Sequence, residues 1–119
     1  MLPLLLRALL IFMIDIPWLY LTSKMAGDMF RKIQGHEITL KVLPSIVVYL
    51  VLSYLVTLPK SVEAAFFLGL SVYAVYDFTN LATLTKYTTS FAVLDSLWGG
   101  VLFVLAFYAM KKFPQIKGL

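Results

Sequence analysis

Three aspartates, Asp15, Asp77 and Asp95, stand inside hydrophobic runs long enough to cross a bilayer. A carboxylate at mid-membrane costs at least roughly 2.5–3.5 kcal/mol, so each needs partners or a task. Such groups bind cations, relay protons, or hydrogen-bond one helix to another. Two of them repeat a spacing: Asp15-Ile16-Pro17-Trp18 and Asp95-Ser96-Leu97-Trp98. Positions three apart share a helix face, which sets each acid beside an indole N–H donor. Tyr73, Tyr76, Asp77, Asn80 and Thr83 recur at three- and four-residue intervals and form a polar stripe that lipid would not tolerate. The stripe therefore points into protein or into a wet pocket, as a functional site or as hydrogen bonding between helices.

The elements that must position these residues follow from composition. The chain has 119 residues, 61% hydrophobic and 13% charged, with a mean hydropathy of +0.91. A soluble domain averages about 45–50% apolar and about 25% charged residues, so this is an integral membrane protein in one compact unit. Apolar runs cover about 2–21, 42–58, 61–85 and 91–110. Each approaches the ~20 residues a helix needs to cross ~30 Å. Strict alternation is absent, which excludes barrel strands. The expected architecture is all-α: a four-helix membrane bundle forming a single transmembrane domain.

Between the first two runs, Ser23 to Gln34 places Met25, Met29, Phe30 and Ile33 opposite Lys24, Asp28, Arg31 and Lys32. That spacing predicts a short amphipathic helix, either lying on the interface or packed on the bundle, with Gly35 as its stop. The first run reads as a retained span, because Asp15 and Pro17 break the apolar core that a signal peptide needs. Pro17 should kink the helix or free a carbonyl.

Counted at 1.5 Å per residue, Asp15, Asp77 and Asp95 all lie roughly 6–12 Å below the face opposite the termini. Tyr49 reaches the same depth. Arg7, two turns from Asp15, is too far to pair with it and is expected to extend to the near interface. Without basic partners the clustered acids cannot all be ionised and must share protons, unless a hard cation such as calcium, magnesium or sodium joins them. The expectation is no metal and no cofactor. Ala65-x-x-x-Gly69 and Ser96-x-x-x-Gly100 let helices approach closely, within the bundle or with another chain.

Other chemistry is limited. Cysteine is absent and His36 is the single histidine, which removes thiolate sites, disulfides and multi-imidazole centres. The net charge of +4 comes from residues flanking the apolar runs, which suits lipid head groups and not nucleic acid. Five basic residues (Arg7, Lys60, Lys111, Lys112, Lys117) fall on the termini side and five (Lys24, Arg31, Lys32, Lys41, Lys86) on the other. The amino terminus tips this balance toward termini-inside.

Taken together, Asp15–Trp18, the run Tyr76-Asp77-Phe78-Thr79-Asn80-Leu81-Ala82-Thr83-Leu84 and the run Leu94-Asp95-Ser96-Leu97-Trp98-Gly99 form a pattern along nearly the whole chain. The chain resembles domain-of-unknown-function family 2177, small four-span membrane proteins best known from bacteria. Pro17 within the first motif and the short Lys86–Thr89 connection depart from the family pattern. The resemblance implies the four-span topology and carries no activity. Three functions remain open: an accessory or structural subunit of a larger membrane complex, a small cation- or proton-linked transporter using Asp77, Asp95 and Asp15, and a lipid-modifying enzyme. Expected partners are membrane lipids and other membrane subunits or further copies of the chain, in a bacterial or organelle inner membrane.

Overall fold

The computed structural model describes residues 1–118. It contains α1 (Leu2–Gln34), α2 (Val42–Leu55), α3 (Val62–Thr83), α4 (Thr89–Lys112) and a 3-10 turn at Pro114–Ile116, with no strand among the described residues. The all-α architecture of the sequence analysis holds. α1, α3 and α4 are long and apolar enough to cross a membrane, and α2 is a shorter apolar helix. At 14 residues α2 rises about 21 Å, because the chain leaves it at Leu55 and not at Leu58 as the apolar run suggested. The N–H groups of Thr57 and Leu58 instead bond the carbonyls of Tyr54 and Leu55, tightening the chain ahead of Pro59.

The helix ends are set locally. Ser61 accepts a hydrogen bond from the Ala64 N–H at 3.1 Å and Thr88 accepts one from the Phe91 N–H at 3.3 Å, capping α3 and α4. Lys111 and Lys112 occupy the last turn of α4, where the helix dipole favours cations. Gly35, at φ 82°, closes α1 in the left-handed conformation that glycine adopts without Cβ strain, and its N–H bonds the Arg31 carbonyl at 2.8 Å.

The amphipathic segment is a correction to the expected layout. It is helical, but it is the last third of a continuous α1 and not a separate helix between spans. Between Trp18 and Gly35 only Gly27 weakens the helix, by about 1 kcal/mol, and the Thr22 and Ser23 hydroxyls bond back to the carbonyls of Trp18 and Tyr20 within the helix. Its apolar side does not lie free. Met29 is buried with Tyr87, Phe91 and Ala92, and Ala26, Phe30 and Ile33 pack around them.

α3 and α4 pack along their length, α1 lies against both α2 and α4, and α3 has no close backbone contact with α1 or α2. The close α3–α4 approach comes from glycine. A Cβ on Gly69 would strike the Gly99 carbonyl, one on Gly99 would strike the Tyr73 side chain, and one on Gly100 would meet Phe66 at 2.6 Å. The small-residue spacings thus join α3 and α4 within one chain. Below this level Ile11, Leu52, Val56, Leu102, Phe103 and Met110 form the main core.

Arg7 does not reach the interface as its position suggested. It is 1% exposed, and its Nε donates to the Ser53 carbonyl at 2.9 Å. One Nη donates to the carbonyls of Ile116, at 2.6 Å, and Gly118. The Ser53 hydroxyl meanwhile donates to the Leu4 carbonyl at 2.7 Å. A guanidinium too deep to reach water takes three carbonyls from α2 and the C-terminal tail on Nε and one Nη, while its other Nη is buried without a partner among the described residues.

Candidate functional site

α1 and α4 run antiparallel, and that direction decides how the two Asp-x-x-Trp motifs meet. On each helix the Trp follows its Asp by one turn. When one helix points up and the other down, each Trp arrives at the level of the other helix's Asp. The Trp18 Nε1–H donates to Asp95 Oδ1 at 2.9 Å, and the Trp98 Nε1–H donates to Asp15 Oδ1 at 2.8 Å. The two indoles stack between these bonds, with ring centroids 5.3 Å apart and planes 7° from parallel. The spacing in sequence had set each indole beside its own acid; the pairing is instead reciprocal across the helix seam.

Asp15 and Asp77 are held by donors from other parts of the chain. Tyr49 of α2 donates to Asp15 Oδ2 at 2.5 Å, its ring set edge-on against Phe12. Asp77 of α3 is fully buried and accepts from the Tyr87 hydroxyl at 2.6 Å. The Ser96 hydroxyl sits 3.5 Å from the other oxygen of Asp77 and makes its shorter bond, 2.7 Å, to the Ala92 carbonyl. The carboxyl of Asp77 lies near that of Asp95. Asn80 lies within reach of the Tyr76 and Tyr87 hydroxyls. Thr83 stays apart: it is exposed, and its hydroxyl bonds the Thr79 carbonyl on its own helix at 2.9 Å.

Two clefts reach this layer. One, of about 400 Å³, runs along α1 past Thr22, Trp18 and Asp15 to Tyr73, Tyr76 and Asp95. The other, of about 360 Å³, opens sideways between α2 and α3, with Val48, Leu52 and Val72 as its walls and Tyr73, Tyr76 and Asp95 at its polar end. Asp95 and the two tyrosines therefore border both. Among the described residues no three His, Cys, Asp or Glu side chains gather closely enough to hold a metal ion. Asp15 is bonded to Tyr49 and Trp98.

The family model of DUF2177, described as a predicted membrane protein, matches residues 1–110. The chain belongs to the DUF2177 family. No curated protein and no solved structure matches it.

Two partners in this DUF2177 chain were not legible as site residues. Tyr87 was read as part of a short connection, yet it holds Asp77 from the turn before α4. Its signal was slight: an aromatic among Lys86, Thr88 and Thr89, ten residues after Asp77. Ser96 was read only as a small packing residue. The chemistry available in the layer is hydrogen bonding and proton sharing among carboxyl, phenol and indole groups. His36 lies on the exposed α1–α2 connection beside Glu37, remote from the acids.

Proposed function

We propose that this chain is a structural subunit of a larger membrane assembly, and that its intramembrane acids hold its own helices together. The observation that carries this reading is that every intramembrane acid is engaged by an aromatic donor from a different element. Trp98 and Tyr49 hold Asp15, Trp18 holds Asp95, and Tyr87 holds Asp77. Acids committed in this way contribute to assembly, and the price of burying them is offset inside the fold. A bacterial or organelle inner membrane with the termini inside is the setting we assign to it.

The test is the mass of the particle that carries this chain after extraction of its native membrane in mild detergent. A particle several times the mass of the 13.4 kDa chain, holding other polypeptides in fixed ratio, is expected. A particle of one or two copies alone would overturn the subunit reading.

A second reading is favoured by one specific feature: Asp95, Tyr73 and Tyr76 border both clefts. A small proton- or cation-linked carrier would place its exchanging group there, with Asp77 as proton partner. Under that reading Asp77→Asn abolishes ion flux in proteoliposomes while the fold persists. A lipid-modifying enzyme would use the same carboxyl pair as acid and base, and would show product formation that Asp95→Asn removes.

A further inference from the structure

Three lysines from three separate segments border one cavity on the termini side. Lys60 comes from the turn between α2 and α3, Lys111 from the last turn of α4, and Lys117 from the tail after the 3-10 turn. The cavity holds about 460 Å³, and Thr57, Phe107 and Met110 complete most of its wall. Among the described residues none of the three lysines is in an ion pair; the ion pairs found join Arg31 to Asp28 and Glu37. Glu63, three residues on from Lys60, does not border the cavity. Lys112 belongs to another surface and lies over the Phe113 ring, 5.8 Å from its centre.

The position of Lys117 is built, not incidental. Tail residues after a last helix fray unless tied down. Here Arg7, itself buried, donates to the carbonyls of Ile116 and Gly118, the residues on either side of Lys117. Ile116 also packs against the main core. The buried guanidinium thus fixes the tail where Lys117 faces the same space as Lys60 and Lys111.

The geometry points to a binding site for a phosphate-bearing anion, and specifically for the head group of an anionic phospholipid. Three ammonium groups with no carboxylate among them in the described residues attract a phosphate as point charges. The depth selects a lipid over a soluble phosphate. Lys111 marks the end of α4, Phe107 lies one turn deeper at about 6 Å, and Met110 adds a second apolar wall. A head group at the lysines therefore has its acyl chains beside Phe107, in the hydrocarbon. Basic pockets between membrane helices recognise anionic head groups by this combination of charge and depth.

The test uses the full-length protein in nanodiscs of mixed phosphatidylglycerol and phosphatidylcholine, with the lipid retained per protein measured by native mass spectrometry. Phosphatidylglycerol is expected to be retained in preference. Lys60→Gln/Lys111→Gln/Lys117→Gln should lower that preference by about tenfold or more, since each lysine near an anionic surface contributes several-fold. Lys24→Gln/Lys32→Gln/Lys41→Gln removes the same charge from the opposite face and should leave it unchanged. Helix content and melting of both variants, whose altered side chains are exposed, verify that the fold is intact. Equal retention of the two lipids would overturn the proposal, as would an equal effect of the two triple variants. Displacement of the lipid by millimolar inorganic phosphate or glycerol phosphate would overturn the lipid assignment.

Discussion

An indole N–H and a carboxylate oxygen 2.8–2.9 Å apart make a bond whose value depends on the alternative. Polar bonds between membrane helices average about 0.6 kcal/mol, because an unfolded chain in lipid finds other partners. Removing one member from a buried pair costs more, about 1–3 kcal/mol, because the other is left desolvated and unmatched. Trp18→Phe keeps a ring in the stack and removes only the donor, so it isolates the bond to Asp95. We expect Trp18→Phe and Asp95→Asn each to destabilise the protein by about 1–2 kcal/mol in detergent unfolding. The double variant should cost less than the sum. Strict additivity would mean that the two side chains do not support each other. The residue types and their depth were legible in the sequence, since a charge in an apolar run marks itself. Their pairing was not, because a three-residue spacing fixes which face a side chain shares and says nothing about which neighbour crosses to it. Arg7 was misread for a related reason: its three acceptors, on Ser53, Ile116 and Gly118, are backbone carbonyls that no sequence motif announces.

Helices reveal themselves through length and hydropathy, and here α1, α3 and α4 are the helices long and apolar enough to cross a membrane. The ends differ where a local hydrogen bond competes with composition. α2 stops early because the chain tightens before Pro59, and α1 continues because nothing interrupts it until Gly35. The amphipathic pattern of residues 23–34 was read correctly as helix, but periodicity cannot tell a new helix from the continuation of an old one. The small-residue spacings were equally double-edged, since they announce a close approach without naming the partner. In the structure the approach is Gly69 against Gly99, where the space left by two missing Cβ atoms lets the backbones meet. Gly99→Leu should therefore separate α3 from α4 and abolish folding, as overpacking alone costs about 1–3 kcal/mol and here the obstacles are the base of the Tyr73 side chain and the Gly69 carbonyl. Gly27→Ala, on the α1 extension where a Cβ meets nothing within 4 Å, should be neutral or slightly stabilising because it removes a helix glycine. Comparison of the two by yield of folded protein and by melting temperature checks the assignment. A stable, native Gly99→Leu protein would show that the α3–α4 contact is looser than described.

At the scale of the molecule the chain is two helical hairpins, α1 with α2 and α3 with α4, meeting where α1 lies against α4. Three features cross that seam: the reciprocal Trp–Asp bonds in the acid layer, the Met29–Tyr87–Phe91 cluster at one end, and the Arg7 grip on the tail at the other. The membrane class, the family and the four-helix layout followed from hydropathy and motif. The way the hairpins hold each other is long-range and became visible only in three dimensions. In lipid there is little hydrophobic drive to bring the hairpins together, so polar bonds and close packing must do it. The most direct measurement is to place a protease site in the turn between Lys60 and Ser61, cleave the folded protein in mild detergent, and follow separation of the halves. The cleaved wild type should stay together, and Trp18→Phe/Trp98→Phe, which removes both indole donors, should weaken the association by about 2–4 kcal/mol. If the cleaved double variant holds together as tightly as the cleaved wild type, the acids are not what joins the two halves.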